Sequence, residues 1–202
     1  AGQAIGSHRD IAQQYAGVPK PNYRPVAMVT DRRNETEDTI SLTLMPPAGY
    51  PAFRAGQHID LAVEIRGVRH VRQYSVVGDV ATQQLRITIK RQQGGIVSGF
   101  LHEHAFAGKR FEISAPRGEF VLPATRHSAY VFCSAGSGIT PVYAMVRELL
   151  TAGTDAEIYF CHAARSPEAV IFRPELEHLA EAHANFFPHL FLSEAEGVEK
   201  RR

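Results

Sequence analysis

Four groups of residues in this chain have types and spacings suited to holding an anion or a flat ring. The first is Gly136-Ser137-Gly138-Ile139-Thr140-Pro141, directly after the apolar run Ala129–Cys133. A strand that runs into a glycine turn, with Pro141 where a helix begins, leaves the N–H groups of the helix's first turn unpaired. Those donors and the helix dipole favour a phosphate, although the same turn also serves as a plain strand-to-helix connection. The second is Arg72-Gln73-Tyr74-Ser75. Period-two alternation puts Arg72 and Tyr74 on one strand face and Gln73 and Ser75 on the other. Arginine offers a planar fork for phosphate and tyrosine a flat surface with a polar tip; alone, the run reads equally as a polar strand face. The third is Gly95-Ile96-Val97-Ser98, where glycine permits close backbone approach and a helix starting near Ser98 would aim further N–H groups at an anion. Ser98 as a simple N-cap is the competing reading. The fourth is Arg165-Ser166 after a later strand, placed for a nucleotide 2′-phosphate or adenine ribose, or else for a solvated loop.

Other reactive side chains form no comparable pattern. His102 and His104 are two apart on a helix and share no face, so they and His70 read as surface histidines. Cys133 and Cys161 fall in strands expected to be buried and read as small core residues in a reducing, cytoplasmic setting. The lack of a CxxC or Cys/His cluster argues against zinc and iron–sulfur sites. A net charge of +1 over 202 residues argues against a nucleic-acid partner. No apolar run approaches the roughly 18 residues of a membrane span, and no signal-peptide pattern opens the chain.

The elements that must position these groups divide the chain into three. Residues 1–22, with a short amphipathic run Ile11–Ala16, read as an N-terminal extension or linker. Residues 23–123 carry period-two strands at Arg24–Thr30, Thr39–Met45, His58–Glu64, Val71–Val77, Leu85–Lys90 and Arg110–Ser114, with one helical insert at Gly99–His104. Short strands at this spacing predict an antiparallel barrel or sandwich. Residues 124–202 alternate strand and helix: Ser128–Ser134, Thr140–Leu150, Glu157–His162, Ala169–Ala182 and Phe186–Leu192. That alternation predicts a doubly wound parallel sheet. Three strands fall short of the five or six of such sheets and the first residue is Ala, so the pattern predicts a truncated second domain in a fragment of a longer protein. Residues Glu194–Arg202 read as a solvated loop. The turn at Gly136 departs from the GxGxxG dinucleotide fingerprint because Pro141 replaces its third glycine, and Glu157 lies at the wrong strand end for its ribose-binding acid.

With this order of motifs the chain resembles the ferredoxin–NADP reductase superfamily, in particular the flavin/NAD(P)H reductase part of flavohaemoglobins and of oxygenase reductase components. Arg72, Tyr74 and Ser75 match its RxYS motif, and Gly95 and Ser98 its GxxS. Pro116, Gly118 and Phe120 match PxGxF, and Gly136 to Pro141 the GxGxxP turn. The resemblance implies a flavin-binding β-barrel followed by an NAD(P)-binding α/β domain. It implies Tyr74 against the isoalloxazine, Ser75 near flavin N5, Arg72 and Gly95–Ser98 around the flavin phosphate, and Gln73 among the cofactor-binding residues. Gly136, Gly138, Ile139, Thr140 and Pro141 would form the NAD(P)H shelf, with Arg165 beside it. Tyr74 and Ser75 are the implied catalytic contributors, and no general base is assigned. The implied reaction passes a hydride from NAD(P)H to FAD (FMN being the less favoured flavin) and electrons on to a one-electron acceptor. That acceptor would be a ferredoxin-like, oxygenase or haem partner. Two alternatives stand beside it: a flavin-binding module or electron-relay subunit without its own NAD(P)H activity, and a scaffold that has kept the barrel without the ligand.

Overall fold

A computed structural model of the chain describes residues 24–79 and 84–194. The extension at residues 1–22 and nearly all of the C-terminal loop lie outside the described residues. Six strands close an antiparallel barrel in the order β1-β2-β5-β4-β3-β6. They are β1 (Val26–Thr36), β2 (Thr39–Met45), β3 (His58–Ile65), β4 (Val68–Asp79), β5 (Gln84–Lys90) and β6 (Arg110–Ile113). Alternate residues point inward, so Ala27, Val29, Leu42, Leu44, Ile59, Leu61, Leu85 and Ile87 are all fully buried. Helix α1 (Ile96–His104) follows β5 and sends Val97 and Leu101 into the same core. His102 is half-buried rather than a surface residue, because its Nε2 lies 3.0 Å from the Ile89 carbonyl and ties α1 to β5.

The second half is a parallel sheet in the order β7-β8-β9, built from β7 (Ala129–Ala135), β8 (Glu157–Ala164) and β9 (Phe186–Leu192). Helix α2 (Ile139–Thr151) joins the first pair, and α3 (Arg173–Ala182) the second. The chain steps in one direction across this sheet, and right-handed crossovers then place both helices on one face. Phe132, Ile158, Phe160 and Phe186 are buried against them. The other face, with Val131 69% and Phe191 60% exposed, carries no helix among the described residues. Cys133 and Cys161 are register partners on this open face, and Cys133 is exposed and Cys161 half-buried. The expectation that both are core residues is therefore corrected: the strands are buried on one side only.

The two halves pack directly on each other. Ala55 and Val77 of the barrel belong to the α2–α3 core. Glu175 of α3 accepts from Arg33 of β1 and, at 3.2 Å, from Arg86 of β5. The Arg86 guanidinium also lies 4.6 Å over the Phe172 ring. Opposite charges hold that carboxylate below its ordinary pKa, although its partial burial works the other way.

Candidate functional site

The site begins at a seam in the barrel. Residues Val68–Ser75 of β4 pair with β3, whereas Val76–Asp79 pair with β5. Beyond Ile87, strand β5 stays on β2 through Thr88, Ile89 and Lys90 and diverges from β4. The wedge between them is a cavity of about 310 Å³, lined by Arg72, Gln73, Tyr74 and Ser75 on one side and Thr88 and Lys90 on the other. Gln92 and Gly95–Ser98 close one end, and Ser137 and Thr140 of the glycine turn close the other. All four residues of Arg72–Ser75 line this one cavity, although the strand still alternates: Tyr74 packs with Val76 against the barrel core, and Val77 belongs to the α/β core. Residues 68–75 of β4 have no pairing to β5, so the edge of the strand as well as its faces borders the cavity.

Each wall has a local cause. Ser98 does not cap α1: Gly95 is the N-cap, with no side-chain cap bond, and the helix starts at Ile96, three residues before the expected Gly99. The Ser98 hydroxyl instead accepts from the Gln92 N–H at 3.0 Å and donates to the Gly95 carbonyl at 3.3 Å, folding the loop under the helix. The first-turn N–H groups thus stay available to an anion. A Cβ on Gly95 would lie 2.5 Å from Ser98 Oγ and 2.8 Å from Gln92 Cβ, so only glycine fits this loop. Arg72 is exposed, and among the described residues its guanidinium bonds only the Val71 carbonyl, at 2.8 Å. Among the described residues no carboxylate lines the cavity; its cations are Arg72 and Lys90, the latter paired to Asp38 at 3.3 Å. Burial pushes the Tyr74 phenol up to about 12, with Arg72 working in the opposite sense, and the ring stays neutral across the working pH range.

At the other end, a single 3₁₀ turn over Gly136–Gly138 precedes α2, which starts at Ile139. Pro141 is therefore in the first turn but not its first residue; its missing N–H costs nothing there, because those donors have no intrahelical partner. Thr140 donates to the Ser137 carbonyl at 3.1 Å. Ile139 is fully buried in the α/β core, which leaves only its backbone to meet a ligand. Neither Gly138 nor Pro141 lines the cavity. A second cleft of about 880 Å³ lies beyond the carboxyl ends of β8 and β9, lined by Gly136, Ala163, Ala164, Arg165, Phe191 and Lys90, among others. Lys90 borders both spaces. Sequence reasoning passed over Thr88, Lys90 and Gln92, and named Ser137 only as part of the glycine turn. Alternation along β5 does set Thr88 and Lys90 on a common face, but nothing in the sequence says that β4 leaves that face open.

Below the glycine turn, His162 is fully buried, with Nδ1 2.9 Å from the Ser134 hydroxyl. Burial holds its pKa down to about 4, against an ordinary 6.5. The unfolded chain takes up this proton near pH 6.5 and the folded chain only near pH 4. Stability is therefore full above pH 6.5 and declines as pH falls, by about 3 kcal/mol from this group alone. Urea unfolding at pH 7 and pH 4 is expected to show that extra loss in the native chain and not in His162→Gln.

The residues present fit a flavin nucleotide: a neutral aromatic wall, a guanidinium without a carboxylate partner among the described residues, and free helix N–H groups enclose one concave space. Comparison with known proteins agrees. The oxidoreductase FAD-binding domain family matches residues 27–122 and the oxidoreductase NAD-binding domain family residues 132–201. A flavohemoprotein of Deinococcus radiodurans is 33% identical over 197 residues, covering 95% of this chain and 48% of that protein. A glycine betaine monooxygenase reductase subunit of Pseudomonas aeruginosa is 35% identical over 139 residues, 68% of this chain and 38% of the subunit. The structure of phthalate dioxygenase reductase, described as modular for electron transfer from pyridine nucleotides to [2Fe–2S], superposes with a TM-score of 0.71 at 25% identity, covering 88% of this chain and 55% of that one. The chain spans about half the length, or less, of these curated relatives. With an FAD-binding barrel leading into an NAD-binding parallel sheet, the chain belongs to the ferredoxin–NADP reductase superfamily and is homologous to the reductase part of flavohaemoproteins.

Proposed function

We propose that this chain oxidises NAD(P)H through bound FAD and passes the electrons on to a one-electron acceptor, a haem or iron–sulfur protein or domain. One observation carries the reading. Ser137 and Thr140 of the dinucleotide turn line the same cavity as Tyr74 and Ser75 of the barrel, so the two halves present their ligands to a common space. Bound FAD supplies the conversion of a hydride into single electrons; the chain's own residues supply position and charge.

Tyr74 offers its neutral ring as a wall, and Ser75 borders the same cavity. Arg72 and the first turn of α1 hold phosphate oxygens, the one by charge and the other by backbone N–H groups. Thr140, anchored on Ser137, sets the edge over which a nicotinamide reaches the barrel. No side chain here needs to move a proton, since hydride transfer depends on the stacking of two rings. Arg165 and the ends of β8 and β9 receive the far end of the dinucleotide.

The visible spectrum of the purified chain, followed by chromatography of the released chromophore, tests this directly. The expected result is a flavin spectrum, release of FAD, and anaerobic bleaching by NADH or NADPH. Retained flavin that neither dinucleotide bleaches would reassign the chain as an electron-relay module. A protein that takes up no flavin overturns the reading altogether.

A further inference from the structure

Asp38 lies in the short turn between β1 and β2, on the barrel, yet it reaches the parallel-sheet half. The hydroxyls of Thr36 and Thr39 each donate to its Oδ1 at 2.9 Å. The Arg91 N–H donates to its backbone carbonyl at 2.7 Å, fastening the turn to the end of β5. The carboxylate is thereby oriented, with Oδ2 toward two cations: Lys90 Nζ at 3.3 Å and Arg165 Nη2 at 3.6 Å. Partial burial would raise its pKa, but the two hydroxyls and the Lys90 ammonium outweigh that and keep it ionised.

Lys90 borders both the barrel cavity and the outer cleft, and Arg165 lines the outer cleft at the end of β8. In an open parallel sheet, the end of the second strand meets the ribose of a bound dinucleotide, and an arginine there suits a 2′-phosphate. Asp38 alters that expectation in two ways. It engages the Arg165 guanidinium, and it sets a fixed negative charge beside the place where the phosphate would sit.

We propose that Asp38 sets the dinucleotide preference of this cleft, drawing Arg165 away from a 2′-phosphate so that the unphosphorylated dinucleotide is favoured. The proposal rests on the reading of the cleft as the NAD(P)H site. Its chemistry is electrostatic: a carboxylate paired to the arginine lowers the gain from a phosphate without touching an adenosine that lacks one.

Calorimetric titration of FAD-loaded protein with 5′-AMP and with 2′,5′-ADP separates the two ideas. Asp38→Asn is expected to tighten 2′,5′-ADP about fivefold, the scale of one exposed ion pair, and to leave 5′-AMP within about twofold. Adding Arg165→Ala, at a side chain 65% exposed, is expected to erase that gain. If both ligands bind and Asp38→Asn leaves their ratio unchanged, the proposal is overturned and the cleft reading stands. If neither binds the native protein, the cleft reading falls and takes the proposal with it.

Discussion

Gly56→Ala is expected to destabilise the chain by about 3 kcal/mol or more, and to do so where the two halves meet. Gly56 has φ +93°, and a Cβ built there would lie 2.0 Å from the Phe120 carbonyl oxygen and 2.4 Å from Met145 Cε. Met145 can swing aside, but the Phe120 oxygen is backbone and cannot. Its neighbours tie the same loop down: Arg54 donates to the Leu122 carbonyl at 2.9 Å, and the Ala55 N–H to Glu148 of α2 at 3.1 Å. Any shift that relieves the clash loosens both bonds. Gly49→Ala is the matched control, at φ +75° with nothing within 4 Å of the added Cβ. It carries only the conformational cost, about 1 kcal/mol. Urea unfolding followed by a barrel probe and an α/β probe should show Gly56→Ala lowering both midpoints. Equal effects of the two substitutions would remove the junction from the explanation.

Tyr74→Ala is expected to weaken FAD retention about 100-fold, and Tyr74→Phe to change it less than about threefold. The half-buried ring is the aromatic wall of the cavity, and its hydroxyl keeps its proton to about pH 12. Retention should therefore be flat from pH 6 to pH 10 as far as this residue is concerned. Arg72→Ala acts through charge; about tenfold weakening is expected, with a shallower salt dependence than the native chain. Fluorescence titration of deflavinated protein gives all three values. Native-like affinity in both alanine variants would move the flavin out of the seam.

Much of this architecture was written in hydrophobic period. Strands β2 and β9 occupy the residues that alternation assigns them, and the change from alternating strands to strand–helix repeats marks where barrel gives way to parallel sheet. Where the expectation slipped, a tertiary partner had intervened. The predicted helix from Ala169 is in fact a single turn over Pro167–Ala169, then Phe172 in a left-handed conformation under Arg86, then α3 with Pro174 in its first turn. Pro174 carried that signal, since proline favours helix starts.

The site was legible as motifs and not as a shape. Alternation divides Arg72–Ser75 between two faces, and the β4 edge that β5 leaves unpaired lets all four line one cavity. Lys90 and Asp38 gave no motif at all, because their meaning arises from a barrel turn lying beside the end of a strand far along the chain. The two cysteines teach the same lesson from the other side. Strand pattern tells that they sit in a sheet, while which face a helix covers is decided by the direction of the crossovers.

The divergence of β4 from β5 has a consequence for the economy of the cell that makes this chain. A barrel whose β4–β5 seam is paired only from Val76 to Asp79, and then opens onto the proposed flavin cavity, would count its prosthetic group among its structural members. Any molecule that binds only the folded seam adds about 4 kcal/mol when it is present at 1,000 times its dissociation constant. The population of folded chain would then follow vitamin supply, and proteolytic turnover would rise when that supply fails, with no change in synthesis. A chain built in this way would measure out its own abundance to match the cofactor it can use.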